Sequence, residues 1–112
     1  NELTDFDHSP VSARDGALAA NRVAPGKRPL SSMSPTIVYG PDGKVVLAVG
    51  SAGGKRIIMH VTKTLIGVLD WGLTAQEAIN LPNIYFGRAG LLLEDDDAGK
   101  AMAEKMKAFG YS

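Results

Sequence analysis

Cysteine is absent from this chain of 112 residues. Disulfide bonds, a thiolate-zinc site and a cysteine nucleophile are therefore excluded. The absence does not assign a compartment, because many exported proteins also lack cysteine. The missing cysteines therefore restrict the chemistry of the site and leave the cellular location open.

An excess of charge of either sign is also missing. The chain has 12 Lys and Arg residues and 12 Asp and Glu residues, and its isoelectric point is ≈ 6.9. A chain that binds nucleic acid through phosphate contacts is normally basic. A protein that binds a membrane surface through a polybasic segment is basic as well. The sequence therefore predicts no nucleic-acid partner and no membrane-surface binding of that kind.

A long apolar run is the third absence. The longest apolar stretch, 57–73, contains His60, Lys63 and Asp70, and it is too short and too polar for a membrane span. We therefore expect no membrane span in this chain. The chain begins at Asn1 without an initiator methionine or a basic and apolar leader, which indicates a processed chain or an excised piece.

The residues that are present indicate a folded chain with an irregular first third. Hydrophobic residues make up 45% of the sequence, which is typical of globular proteins. Residues 1–35 are rich in turn formers and show no regular period. A loop of that length inside a compact domain tends to be either functional or disordered.

From residue 36 the sequence predicts elements in the order β, β, α, α, β, β, α, an α/β or α+β layer arrangement. The predicted elements are strands at 36–39 and 44–50, helices at 55–71 and 75–80, strands at 83–88 and 91–94, and a helix at 97–109. Thr74 and Glu77 match a capping box at the start of the second helix. The strand 44–50 is apolar on both faces, so we expect it to be central and covered on both sides.

A glycine-rich turn, Gly50-Ser51-Ala52-Gly53-Gly54, lies between that strand and the predicted helix 55–71. Glycines let the backbone approach a ligand closely, and amides at a helix N-terminus favour negative charge. Three interpretations stay open: a phosphate cradle, an oxyanion hole for acyl transfer, or a structural turn that needs positive φ. A nucleotide P-loop is disfavoured, because the Gly-x-x-x-x-Gly-Lys-Ser/Thr spacing is absent.

Hydroxyls and carboxylates form two more candidate groups. Ser31 and Ser32 lie in a hydroxyl-rich stretch that suits either carboxylate binding or local turn bonds. Glu2 and Asp5 suit an ammonium ligand, acid–base work or a metal, or else a solvated terminus. No serine lies in a Gly-x-Ser-x-Gly elbow, which disfavours a Ser-His-Asp hydrolase.

The two histidines do not suggest a metal site. His8 and His60 are far apart in sequence, and His60 lies on a largely apolar helix, where a structural role is favoured over a ligand role. Because no third ligand is evident, we predict no metal. The acidic run 95–97 is interpreted as a solvated turn that places carboxylates at a helix N-terminus.

Three segments, which follow one another along the chain, together resemble a known protein family. They are Asn-Glu-Leu-Thr-Asp-Phe at 1–6, Lys-Arg-Pro-Leu-Ser-Ser-Met-Ser-Pro-Thr at 27–36, and Gly-Ser-Ala-Gly-Gly-Lys-Arg-Ile-Ile at 50–58. The series closely resembles the small, C-terminal subunit of γ-glutamyltransferases (γ-glutamyltranspeptidases). The central segment is highly specific. The resemblance is collinear to about Pro82 and looser beyond it.

The resemblance implies a fold and an activity. The family belongs to the N-terminal-nucleophile hydrolases, so the chain is expected to be part of a four-layer αββα sandwich shared by two subunits of a self-cleaving precursor. The implied enzyme moves a γ-glutamyl group from glutathione or related donors to water, amino acids or peptides, without metal or cofactor. The implied partners are the large subunit and the γ-glutamyl donor. The implied location is the periplasm or the exterior.

The resemblance also implies roles for particular residues. Three pairs match functional positions of the family: Glu2 and Asp5, Ser31 and Ser32, and Gly53 and Gly54. The first pair is expected to hold the α-amino group of the γ-glutamyl moiety, and the serines its α-carboxylate. The amides of the two glycines are expected to form the oxyanion hole. Residues 1–35 then form a substrate-binding loop region, and 36–112 supply sheet and helix layers.

The chain departs from the family pattern at three points. Ala52 stands where the family usually has proline, and Thr4 replaces a common aspartate beside Asp5. The nucleophilic threonine of the family is not carried and is expected upstream of Asn1. We therefore expect a truncated piece of the small subunit that is inactive alone and has exposed sheet edges.

Other functions stay open at this stage. One is a related N-terminal-nucleophile acylase, such as a poly-γ-glutamate depolymerase or a β-lactam acylase. Another is a non-catalytic scaffold that retained the fold.

Overall fold

The structure is a computed structural model that describes residues 2–87 and 90–111, apart from the side chains of Glu2 and Leu3. The chain divides into two compact units, Asn1–Ser32 and Met33–Ser112. Each unit is described by itself.

The first unit is mostly irregular, as the turn formers predict. A short 3₁₀ helix spans Glu2–Asp5, and single β-bridges join Asp7 to Arg22 and Val11 to Leu18. Phe6 and Ala19 are its buried apolar side chains among those described. This unit therefore has little apolar packing, and backbone and side-chain hydrogen bonds hold much of its shape.

The second unit opens with an antiparallel hairpin. Strand β1 (Thr36–Tyr39) pairs with strand β2 (Val45–Val49), and the ladder shifts register near Tyr39. The turn closes through the Gly40 amide, which donates to the Lys44 carbonyl over 2.8 Å. This confirms the predicted hairpin.

The expectation that the return strand is central and covered on both sides is wrong for the described chain. There, β2 pairs only with β1 in a two-stranded sheet. The side chains of Val45, Val46 and Ala48 are exposed. An apolar pattern on both faces of a strand indicates that both faces can be buried. The residues that would bury them must come from other parts of the protein.

Helix α1 (Ile57–Leu69) is the main packing element of this unit, and it begins after a 3₁₀ turn at Gly54–Arg56. It packs against helix α2 (Ala75–Asn80), where Ala78 is fully buried. A Cβ atom at Gly67 would lie 2.8 Å from the Ala78 Cβ, so glycine is needed for this close approach. The predicted helices are confirmed, with α1 two residues shorter at each end.

Helix α2 begins at the predicted capping box. The Thr74 side chain accepts a hydrogen bond from the Glu77 amide, and the Glu77 carboxylate accepts one from the Thr74 amide. This reciprocal bonding satisfies amides that a helix start leaves without partners.

A second hairpin and a last helix complete the unit. Strand β3 (Ile84–Gly87) pairs antiparallel with strand β4 (Gly90–Leu93), and helix α3 (Asp97–Ala108) follows. Asp96 caps α3, since its carboxylate accepts from the Gly99 amide over 2.6 Å. The predicted order is confirmed, although Arg88, at the end of the predicted third strand, lies outside the described residues.

The described residues leave much apolar surface uncovered. Their buried hydrophobic side chains are Phe6, Ala19, Ile57, Val61 and Ala78. Exposed side chains include large ones on both faces of the first hairpin. Within the part of the chain that the structure describes, no helix has the length and apolar character needed to cross a bilayer.

Candidate functional site

The glycine turn has a backbone that requires glycine. Gly53 has φ 128° and ψ 14°, and Gly54 has φ 57°. Both have positive φ, in the half of the Ramachandran map where a residue with a side chain is strained. Gly53 and Gly54 therefore have the positive φ values that the sequence suggested. The backbone conformation alone is a sufficient reason for glycine at both positions.

The same turn places amides at the start of a helix. Gly53 directly precedes and Gly54 begins the 3₁₀ turn that leads into α1, and residues 50–54 are exposed. The first amides of a helix lack partners within the helix, and the helix dipole places partial positive charge at that end. The arrangement is able to stabilise a negatively charged oxygen.

His60 supports this turn from α1. Its Nδ1 lies 3.1 Å from the Ser51 Oγ, and that hydroxyl also donates to the Ala52 carbonyl over 2.7 Å. A Cβ added at Gly53 would lie 3.2 Å from the His60 Cε1. The sequence favoured a structural role for His60 but did not identify its contact with the turn. Its place one to two helical turns beyond the glycines was the available signal.

His60 also lies between two surface cavities. The larger, of about 330 Å³, includes Arg56, His60, Asn83, Tyr85 and Glu94 in its lining. The smaller, of about 220 Å³, includes Gly50 and Ser51 of the glycine turn, His60 and Lys63 of α1, and Asn83. This side of the turn therefore has polar and charged neighbours on α1 and at Asn83, just before β3.

Two charged groups beside these cavities have shifted pKa values. Hydrogen bonds from the Asn83 side chain and amide lower the pKa of Glu94, and nearby Lys63 and His60 contribute in the same direction. Burial lowers the pKa of Lys63, and the charge of Glu94 opposes that shift.

Lys63 has a structural task. Its Nζ donates to the carbonyls of Ile79, over 2.9 Å, and Leu81, over 2.6 Å. These carbonyls lie at the C-terminal end of α2, where a cation is favoured. Lys63 therefore ties the end of α2 to α1.

The first unit holds the predicted polar binding residues. Asp5 is exposed at the end of the 3₁₀ helix, Ser31 is exposed and Ser32 is half-buried. The backbone of Glu2 begins that helix, but its side chain lies outside the described residues. Asp5, Ser31 and Ser32 thus all belong to one compact unit, although Asp5 is far from the two serines in the sequence.

Asn21 links the two parts of this group and was missed by the sequence analysis. Its Nδ2 donates to the Asp5 carbonyl over 2.6 Å, and its Oδ1 accepts from the Leu30 amide over 3.0 Å. The Asp7 amide donates to the Asn21 carbonyl over 3.0 Å. Asn21 therefore joins the Asp5 turn to the segment that leads into Ser31. Its sequence context indicated only a turn former.

The arrangement does not contain an evident metal centre. Across residues 2–87 and 90–111, no three histidine or carboxylate side chains are grouped so that they could hold an ion.

Comparison with known proteins adds a family match over the whole chain. The Gamma-glutamyltranspeptidase family model matches residues 1–112. The chain is 40% identical over 111 residues to the glutathione hydrolase proenzyme of Bacillus subtilis strain 168. That match covers 99% of this chain and 18% of the relative, so the chain spans less than a fifth of that protein.

Solved structures show the same likeness in three dimensions. A gamma-glutamyltranspeptidase mutant from Helicobacter pylori matches with a TM-score of 0.70 and 37% identity, covering 95% of this chain and 61% of that one. A highly active gamma-glutamyltranspeptidase mutant from Pseudomonas nitroreducens matches with a TM-score of 0.72 and 34% identity, covering 99% and 60%. The mixed α/β fold of this chain is therefore that of the corresponding part of these structures.

Proposed function

The chain belongs to the gamma-glutamyltranspeptidase family, and on that premise we propose that it is part of the small subunit of a γ-glutamyltransferase. The proposed enzyme transfers the γ-glutamyl group of glutathione or a related donor to water, an amino acid or a peptide. The single observation that carries the proposal is the exposed turn at Gly53 and Gly54, which have positive φ values and lie just before α1.

In the proposed reaction, the donor is held by the first unit. The Glu2 and Asp5 carboxylates bind the α-ammonium group by charge-assisted hydrogen bonds, and the Ser31 and Ser32 hydroxyls bind the α-carboxylate. The hydrogen bonds of Asn21 to the Asp5 carbonyl and the Leu30 amide support this assignment, because they keep the two groups in one compact unit.

The chemical step then uses the glycine turn. A nucleophilic hydroxyl, which the family resemblance assigns to a threonine before Asn1, attacks the γ-carbonyl carbon of the donor. The carbonyl oxygen gains negative charge and is stabilised by the amides of Gly53 and Gly54. The C–N bond breaks, the leaving amine takes a proton, and an ester forms. Water or an acceptor amine then attacks that ester and releases the nucleophile.

The exposed hairpin fits a chain that works inside a larger protein. Ile37, Tyr39, Val45 and Val46 are all more than half exposed. Large apolar patches on a soluble protein commonly mark an interface. We assign both faces of this hairpin to contact with the rest of an αββα sandwich, including the large subunit of the same precursor. By the family resemblance, the location is the periplasm or the exterior.

The experiment that tests the proposal compares three donors with the matured full-length protein that contains this chain. They are a γ-glutamyl anilide, its N-acetyl derivative and its α-methyl ester. We expect kcat/KM for each derivative to fall by about 10- to 100-fold, because a hydrogen bond to a charged group contributes roughly 1.5–3 kcal/mol. Equal turnover of all three donors would contradict the proposal.

Matched variants assign each discrimination to its residues. Asp5→Asn is expected to lose discrimination against the N-acetyl donor and to keep discrimination against the ester. The double variant Ser31→Ala/Ser32→Ala is expected to show the reverse. Each variant is thus the control for the other. If both variants keep both discriminations, the assigned binding residues are wrong even if the enzyme is a γ-glutamyltransferase.

A further inference from the structure

His60 and Ser51 form a short hydrogen-bonded chain that ends on the glycine turn. The His60 Nδ1 lies 3.1 Å from the Ser51 Oγ, and the Ser51 Oγ lies 2.7 Å from the Ala52 carbonyl oxygen. His60 is half-buried on α1, whereas Ser51 lies in the exposed turn. The chain therefore connects a helix side chain to the backbone of the turn.

Counting protons fixes the direction of these bonds. A serine hydroxyl has one hydrogen, and a carbonyl oxygen only accepts. The Ser51 hydrogen is therefore donated to the Ala52 carbonyl, and the Ser51 oxygen accepts from His60. This requires a proton on the His60 Nδ1, which both the Nδ1–H neutral tautomer and the imidazolium supply.

The chain ends on the peptide group that carries the proposed oxyanion donor. The Ala52 carbonyl and the Gly53 amide are the two ends of one peptide unit. A hydrogen bond to the carbonyl polarises this unit and strengthens its N–H as a donor. The His60 ring also lies beside Gly53, because a Cβ at that position would be 3.2 Å from its Cε1.

We propose that His60, acting through Ser51, is a positioning residue that orients and polarises the Ala52–Gly53 peptide for stabilising the oxyanion. The proposal rests on the proposed function of the glycine turn. It assigns to His60 and Ser51 a contribution to kcat with no contact to the donor.

The test measures kcat and KM for a γ-glutamyl anilide with the matured full-length protein. We expect Ser51→Ala and His60→Ala each to lower kcat by about 3- to 10-fold, the size of one hydrogen bond of roughly 0.5–1.5 kcal/mol, with KM unchanged. Because both residues act through one chain of bonds, the double variant is expected to be no slower than the slower single variant.

Conservative variants separate positioning from general damage. Ser51→Thr keeps the hydroxyl, and His60→Asn keeps a donor near the position of Nδ1, so both are expected to recover most of kcat. Lys105→Gln, at an exposed position of α3 outside the residues assigned to the site, is the control with unchanged kinetics. If His60→Ala does not mature, Ser51→Ala and Ser51→Thr carry the test.

The outcomes distinguish this proposal from the one it rests on. No γ-glutamyl turnover by the unaltered protein contradicts the proposed function. If the unaltered protein turns over the donor and Ser51→Ala has the same kcat, the positioning role is overturned while the proposed function stands. Additive losses in the double variant, or a change confined to KM, overturn it as well.

Discussion

Replacing Gly53 by alanine in the full-length protein tests whether the Gly53 amide stabilises the oxyanion. Gly53 has φ 128°, outside the regions that residues with a side chain ordinarily occupy. The added Cβ would also lie 3.2 Å from the His60 Cε1 and 3.7 Å from the Arg56 Cβ. The backbone strain is on the order of 1–3 kcal/mol, and rotation of the Ala52–Gly53 peptide relieves it.

That rotation moves the Gly53 amide away from the position of the oxyanion. Loss of one oxyanion donor lowers kcat by about 10²–10³-fold. We therefore expect Gly53→Ala to lower kcat by that amount, while the Kd of the donor changes much less. The assays are steady-state kinetics with a γ-glutamyl anilide and equilibrium binding of the donor, on protein shown to be cleaved and folded.

Two other glycines separate backbone strain from catalysis, and Gly43, which lies outside the proposed site, is the matched control. Gly54 has φ 57° and Gly43, in the turn of the first hairpin, has φ 75°, and a Cβ at either meets no atom within 4 Å. Alanine in this left-handed region costs roughly 1–2 kcal/mol at both positions. Gly43→Ala is expected to lower Tm only, whereas Gly54→Ala is expected to lower kcat as well. A matured Gly53→Ala protein with kcat near that of the unaltered protein would refute the reasoning.

Two further predictions concern residues that hold the site in place. Asn21→Ala removes the hydrogen bonds to the Asp5 carbonyl and the Leu30 amide, each worth about 1 kcal/mol. The KM for the donor is therefore expected to rise about 10- to 30-fold, with a smaller change in kcat. An unchanged KM would show that Asn21 does not support the donor site. Glu94→Gln tests pH dependence by thermal melts of the full-length protein. Because the Asn83 hydrogen bonds lower the pKa of Glu94, its stabilising contribution is complete above the ordinary glutamate pKa and is lost as pH falls through the lowered value. The Tm difference between the unaltered protein and Glu94→Gln should therefore shrink at acidic pH, with Glu104→Gln on exposed α3 as the control; a Tm difference that does not change with pH would contradict this assignment.

Local signals predicted the elements of the fold well. The capping box of Thr74 and Glu77 involves residues three apart, and the hairpin turn at 40–43 is set by its own glycines and proline. Such signals act over a few residues and are therefore visible in the sequence. The start of α1 was placed two residues early, because Gly54–Arg56 forms a 3₁₀ turn after the two glycines.

Nonlocal relations were less visible. The burial of β2 depends on cover that lies outside its own residues, so its apolar pattern overstated its burial in this chain. Asn21 bonds to residues 16 positions before it and nine after it, and His60 bonds to a residue nine positions before it. The spacing of Asn21 does not distinguish it from an ordinary turn position, and the spacing of His60 indicates only that it lies on α1 close to the glycines.

The most direct test of the central claim is glutamate release from glutathione, measured side by side for the matured full-length protein and for the 112-residue chain alone. The proposed division of the site predicts that the full-length protein releases glutamate and cysteinylglycine. It also predicts that the isolated chain releases neither, because the nucleophile that we propose is not part of it. Release by the pure isolated chain, or no release by the matured full-length protein, would contradict the claim.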